Sequence, residues 1–569
     1  MGAGDAEDRL DSWKEIASYL GRSVRTAKRW EQQGLPVRRQ MHQAQGSVYA
    51  FRSEVDAWRD SRSVAAVSGL EEPAAVPTSS VPVSAEGGAP SSEPGLVVLP
   101  FSFHGRDEAD AYLADGFTDE TITMLSRVPG LRVISRTSSM ALKGVESGAT
   151  ELARRLRIGF VLEGSVQVAG DQLRVNVNIV DALADKQLWA SRYQGVIEEL
   201  FEIQERIARR ASLELFLLLS PNGQLDDSGE EAASWIRRPE SNLVAWRCLQ
   251  KARRQSMRWH KDAIDRAVDL LHRGIEEVGE RSDLCAALGR AHLQYREAAL
   301  DATDDPVACA ETWLERAREA DPNAPEVLQL AGWIAYARAD IAGAVAQLQS
   351  ALRRGANEAE TLSLLANCLL ISGRTEQAKP LIRRLLGIDP LTPVNQCMPG
   401  FVAAMEGRFD EAVPPYRRML EMDPDNPVAR LFLVWVLTSA GETEQAAAVA
   451  QEMPTGLQEG LPARLTRLFV EAGRGGELDA LDDVEDEMTS YGDMFPRLAA
   501  QAYALAGDDE RAMHWLERAV ERGFINLPYL SENDPLLGPV RGSARFGLLL
   551  TEVETRWGRF PDAVAAVAP

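Results

Sequence analysis

Arg22, Arg25, Lys28, Arg29, Arg38 and Arg39 lie within one short stretch that holds a single acidic side chain, Glu31. Guanidinium and ammonium groups grouped this way bind phosphates and base edges. The whole chain carries a formal charge of −23. Its body therefore disfavours non-specific nucleic-acid binding, and the basic patch reads as a local polyanion site. Catalytic chemistry has no comparable concentration. The six histidines (His42, His104, His260, His272, His292, His514) are scattered, and no HExxH, CxxC, GxSxG or GxxxxGK[ST] sequence occurs. Asp115, Asp119 and Glu120 could form an acid–base group or a metal site, but their spacing reads as the solvated face of a helix. The expectation is a non-enzyme with no catalytic residue, no metal ligand and no cofactor.

The elements that must position the basic residues are short. Trp13, Ile16, Ala17 and Leu20 follow the i, i+3, i+4, i+7 pattern of an amphipathic helix that Gly21 ends. Ser23 caps a second helix whose buried face is Val24, Ala27 and Trp30. Its other face carries Arg25, Thr26, Lys28 and Arg29. Gly34 and Pro36 stop it. Two short strands are predicted around His42–Gly46, the second being Ser47–Phe51, and Ser53 caps a last short helix through Val55 and Trp58. This layout, over residues 10–62, resembles the MerR-like and excisionase-like winged helix-turn-helix families. The resemblance implies that helix 24–33 enters the major groove. Arg25, Thr26, Lys28 and Arg29 would meet bases or phosphates, and Arg38 and Arg39 of the wing would contact the DNA backbone.

Residues 63–94 are rich in Pro, Ser, Ala, Gly and Val without helical or strand period, as in a flexible tether. Residues 95–219 then read as strand, helix, strand, helix, three strands and helix. The apolar run Leu96–Phe101 suits a buried strand. Leu173, Val175, Val177 and Ile179 alternate across a turn from Phe160, Leu162, Gly164, Val166 and Val168, as in a hairpin. A mixed α/β (α+β) sheet with helices packed on it is expected. The segments VVLPF (97–101), YLADGFTDETITML (112–125), LRVISRTS (131–138), VLEGSVQ (161–167) and LWASRY (188–193) resemble the FlgO-like domain, also described as TolB amino-terminal-like. That family implies a fold and a neighbourhood of signalling or DNA-binding modules, and no reaction.

The C-terminal half is periodic. Gly373, Gly407 and Gly441 are spaced 34 apart, each followed five places later by alanine (Ala378, Ala412, Ala446). Asp321-Pro322, Asp389-Pro390 and Asp423-Pro424 share the step and break the chain between units. This is the tetratricopeptide pattern of two helices per repeat. It extends over 235–550, clearest at 291–453 and 493–524, and about six to eight helix pairs in a superhelix are expected. Trp259, Trp313, Trp333, Trp435 and Trp515 read as core.

The predicted architecture is thus multidomain: a small winged helix-turn-helix, a mixed α/β domain, and an all-α tetratricopeptide superhelix. The five scattered cysteines fit a reducing compartment. The polar start lacks a signal peptide, and no run of eighteen apolar residues exists, so a cytoplasmic location without membrane contact is expected. The leading expectation is a transcription regulator that binds double-stranded DNA through its N-terminal module and protein partners through the repeat surface. The alternative is a repeat scaffold whose basic module binds protein or only localises the chain. Operators are commonly read by dimers, so a homodimer is compatible with the sequence, which does not say where it would form.

Overall fold

The computed structural model describes residues 9–10, 19, 36–40, 47–52 and 94–560, except for 106, 129, 145–147, 220–241, 259, 298–299, 301–303, 355–358, 454–457, 477, 479–480 and 491. The predicted helices at 13–20 (Tyr19 apart), 24–33 and 53–58, the tether up to residue 93, and Trp259 lie outside them. The chain divides into two compact units, residues 1–88 and 89–569.

In the first unit, β1 (Arg9–Leu10), β2 (Arg38–Gln40) and β3 (Ser47–Phe51) form an antiparallel sheet in the order β1-β3-β2. Leu10 pairs with Ala50, and both are buried. The second predicted strand has the bounds expected of it. Strand β1 carries no alternation long enough to announce itself.

The second unit begins with a six-stranded mixed sheet. Its strands are β4 (Gly95–Val98), β5 (Ser102–Gly105), β6 (Arg132–Val133), β7 (Phe160–Ala169), β8 (Gln172–Asp181) and β9 (Lys186–Val196). The order is β6-β4-β7-β8-β9, with β5 also paired to β7. β4 runs parallel to β6 and β7, whereas β7, β8 and β9 form an antiparallel meander. The two halves differ in sequence because they differ in cover. Leu96 and Val98 of β4 face a core shared with helices Tyr112–Leu125 and Leu200–Leu219, while Val97 faces another shared with helix Ala149–Leu156. A strand covered on both sides needs a continuous apolar run. β8 is covered on one side, so Leu173, Val175, Val177 and Ile179 are buried and the residues between them are polar. Leu200, Ile203, Ile207, Ala211 and Leu215 line the covering helix at three- and four-residue steps, and all are fully buried. Each large side chain so placed contributes about 1.5–3 kcal/mol.

From Leu243 the chain is helical. Eight successive pairs can be traced among the described residues, from Leu243–Ser256 with Lys261–Val278 to Met494–Leu505 with Asp509–Glu521. The seventh pair is irregular: Leu461–Arg474 is followed by the short helix Glu485–Ser490. The 34-residue step has a conformational cause. Gly373, Gly407, Gly441 and Gly475 have φ between 69° and 81°, just after the first helix of their pairs. Such a C-terminal turn requires the left-handed region. Ala339 occupies the same position one step earlier, at φ 62°. Trp435 and Trp515 are fully buried, as expected, whereas Trp313 and Trp333 are half-buried.

After the last pair the chain turns back on the array. Ile525 N donates to Ile371 O (3.0 Å), Asn526 Nδ2 to Leu370 O (2.9 Å) and Asn533 Nδ2 to Met405 O (3.0 Å). The Arg374 guanidinium lies 4.3 Å from the Trp557 ring centroid. The turns at Gly373 and Gly407 are therefore covered by the chain itself: a Cβ on Gly373 would lie 2.9 Å from Asn526 Oδ1.

Candidate functional site

Of the six basic-module residues singled out by sequence, Arg25, Thr26, Lys28 and Arg29 lie outside the described residues. Arg38 and Arg39 lie on β2, opposite Tyr49 and Val48 of β3. Arg38 is exposed, and its guanidinium stands 5.3 Å from the Phe51 ring centroid. Arg52, at the end of β3, is also exposed and stands 5.4 Å from the Tyr19 ring. An aromatic face steadies the position of an arginine side chain. Arg52 escaped the sequence reading because it stands apart from the basic run, beyond the predicted strand.

The acidic residues of the α/β domain have a different place from the one expected. Asp115 and Asp119 are not a solvated face; they are 5% and 8% exposed. Each carboxylate is ion-paired with two cations. Asp115 meets Lys143 Nζ at 2.6 Å and Arg254 Nε at 3.8 Å. Asp119 meets Arg136 Nε at 3.2 Å and Arg253 Nη1 at 2.7 Å. Two aspartates four apart on one helix thus receive two adjacent arginines from the first helix of the array, Leu243–Ser256. Between them Trp246 lies over Gly116, where an added Cβ would come within 2.4 Å of the indole. Tyr112 and Phe201 flank the same indole at 6.3 and 5.9 Å. Burial, reinforced by the neighbouring charge of Arg253, holds Arg136 down to about 10, so it is charged at neutral pH. The carboxylates act as docking points, and Glu120 beside them is half-buried.

A second contact ties the domain to the array at Asp389, which is 2% exposed. One of its oxygens accepts hydrogen bonds from Ser135 Oγ (2.7 Å) and Ser138 Oγ (2.6 Å); the other accepts from Asn395 Nδ2 (2.7 Å). Around it, Ser135 N donates to Ile388 O (2.6 Å), Leu391 N to Ser138 Oγ (2.9 Å), and the Arg132 guanidinium to Gly387 O. The Asp-Pro step at this repeat therefore also carries a joint. Among the described residues its counterparts make local bonds: Asp321 Oδ1 accepts from Asn323 N, and Asp423 Oδ2 from Asn426 Nδ2.

The five thiols are free. Burial pushes Cys397 up to about 12 and raises Cys368 as well, which keeps both as neutral core groups. Among the described residues no group of three His, Cys, Asp or Glu side chains is placed to hold a metal ion, and no helix is long and apolar enough to cross a membrane.

Comparison with known proteins assigns relatives to the two parts of this unit separately. Residues 92–210 match the family described as HilA/YgeH-like transcriptional regulator, second domain, where the motifs resembled the FlgO-like family. Residues 403–463 match the tetratricopeptide repeat. The chain thus combines a transcriptional-regulator-like α/β domain with tetratricopeptide repeats. A Rhizobium meliloti (strain 1021) protein called putative adenylate cyclase 3 is 34% identical over 188 residues, which is 32% of this chain and 30% of that protein. The chain therefore spans less than a third of that relative's length. Similar solved structures include Pseudomonas aeruginosa pilF, 16% identical over 39% of this chain and 96% of that one, with a TM-score of 0.31. The human IFIT1 dimer with m7Gppp-AAAA is 14% identical over 64% of this chain and 85% of that one, with a TM-score of 0.35.

Proposed function

We propose that this protein is a cytoplasmic transcription regulator and not an enzyme. In this reading residues 10–62 are a winged helix-turn-helix that binds double-stranded DNA. Residues 63–94 tether it to a regulator-type domain (95–219) and a repeat array (235–550) that take up a signal or a protein partner. The observation that carries the proposal is the match of residues 92–210 to a domain of HilA/YgeH-like transcriptional regulators, on a chain that carries a short basic run, Arg22 to Arg39, upstream of it. Arg25, Thr26, Lys28 and Arg29 read the major groove. Arg38, Arg39 and Arg52 contact phosphates from the wing, and a homodimer reads two half-sites.

The salt dependence of binding tests this. Each phosphate neutralised contributes about −0.9 to the slope of log K against log salt. Arg25→Ala with Arg29→Ala in the full chain should flatten the slope if either contacts phosphate, and should abolish sequence preference if either contacts a base. Full-length protein that selects no sequence from genomic fragments, while holding a stable protein partner without DNA, would establish the scaffold reading instead.

A further inference from the structure

A pocket of about 510 Å³ opens beyond the carboxyl end of β4. Its walls come from every layer around that strand. Leu99, Pro100 and Phe101 follow β4, Phe103 belongs to β5, Ala111 and Ala114 come from the start of the buried helix and the turn before it, and Leu142 and Leu152 close the far side. β4 lies between β6 and β7, parallel to both; after β4 the chain forms β5, also beside β7, then crosses to β6 on the other side of β4 and returns to β7. In α/β sheets the crevice at such a switch point is where ligands bind, and the volume lies in the range of small-molecule sites.

The polar groups of this pocket are selective. Lys143 and Arg254 both line it, and both are partly exposed, at 50% and 36%. Both lean on one buried carboxylate, Asp115. Lys143 Nζ donates to its Oδ1 at 2.6 Å, which leaves the ammonium further donors. Arg254 Nε is 3.8 Å from Oδ2, beyond hydrogen-bond distance. Two cations sharing one anion beside apolar walls can bind one more negative charge, provided its carrier has an apolar body.

We propose that this pocket binds a small organic monocarboxylate with an apolar body, its head group held by Lys143 and Arg254. Because Arg254 belongs to the helix docked on Asp115 and Asp119, the head group competes for a cation of the seam, and occupancy of the pocket is felt by the repeat array. This goes beyond DNA recognition and does not depend on it.

The test uses the full-length chain without DNA and three probes sharing one body: 3-phenylpropionate, 3-phenylpropanol and 3-phenylpropylamine. Calorimetric titration should show that the acid binds at least about tenfold more tightly than the alcohol, and that the amine does not bind. Lys143→Met should weaken the acid about tenfold, the scale of one charge-assisted hydrogen bond, whereas Lys143→Arg should retain it. Arg254→Met should weaken it as well. Lys143→Met also removes a charge partner of the buried Asp115, so a lower melting temperature with native circular dichroism is expected; a fold loss would leave Lys143→Arg and the probe series to decide. Equal affinity for acid and alcohol, no binding of the acid at millimolar concentration, or unchanged binding in folded Lys143→Met and Arg254→Met would overturn the proposal.

Discussion

Asp389, Asp423 and Asp321 occupy one repeat position, yet they should respond very differently to alanine. Asp389 accepts from three side-chain donors, two of them on the α/β domain. A hydrogen bond to a charged group is worth roughly 1.5–3 kcal/mol. The three are not additive, because Ser138 N also bonds Ser135 Oγ and Leu391 N also bonds Ser138 Oγ. Asp389→Ala should therefore cost about 3–5 kcal/mol, in the range for opening a buried polar network. Asp423→Ala and Asp321→Ala lose only local turn bonds, at about 0.5–1 kcal/mol. Global unfolding of a multidomain chain is not two-state, so hydrogen exchange followed by mass spectrometry is the suitable assay. Peptides covering 132–142 and 387–397 should exchange about two to three and a half orders of magnitude faster in Asp389→Ala, since 1.4 kcal/mol corresponds to a factor of ten. The control variants should leave residues 132–142 unchanged. If Asp389→Ala perturbs exchange no more than Asp423→Ala, or only within the array, then this aspartate does not join the two parts.

Two other predictions concern buried groups. Gly116→Ala would gain up to about 1 kcal/mol of helix propensity but would drive a Cβ into Trp246, itself 3% exposed and flanked by two rings. Overpacking costs about 1–3 kcal/mol. A lower melting temperature is expected, partly restored by Trp246→Phe; a higher one would mean that the indole is not seated there. Asp534 is fully buried, and desolvation raises its pKa against the hydrogen bond from Gln501. A folded carboxyl titrating above its unfolded value stabilises the protein when protonated, and that contribution is lost as pH rises through the folded pKa. The wild type should therefore gain stability relative to Asp534→Asn as pH falls from 7 towards 4, measured by paired denaturant titrations. A difference that moves the other way would mean that the ionised form is the better accommodated one.

The sheet was legible in the sequence wherever one face alone is covered. Alternation at Leu173–Ile179 gave the strand and its buried face together. β5 has no signature in the sequence, because Ser102–Gly105 is an edge segment with largely exposed side chains and no period. The short helix Arg136–Ala141 has no period either; it is announced by the Ser135 cap rather than by an apolar stripe. Asp115 and Asp119 were misplaced for a deeper reason. Polar residues four apart have the same spacing on a solvated face as on a docking face, and the arginines that distinguish the two lie far along the chain. The repeat period revealed the pairing of helices but not that Asp389 differs from Asp423, because the difference lies in what Ser135 and Ser138 bring to it. The sequence assigns residues up to 550 to repeats, whereas 525–560 form no further pair of antiparallel helices and instead return over the array.

The central claim, that this chain reads DNA through its N-terminal basic module, is tested most directly by selection from genomic fragments. The full-length protein would be compared with Arg25→Ala/Arg29→Ala at two salt concentrations. A defined sequence should be enriched by the wild type and lost by the variant, with affinity for it falling about ten- to a hundredfold per base contact removed. Absence of any enriched sequence, or enrichment that the double variant leaves intact, would contradict it.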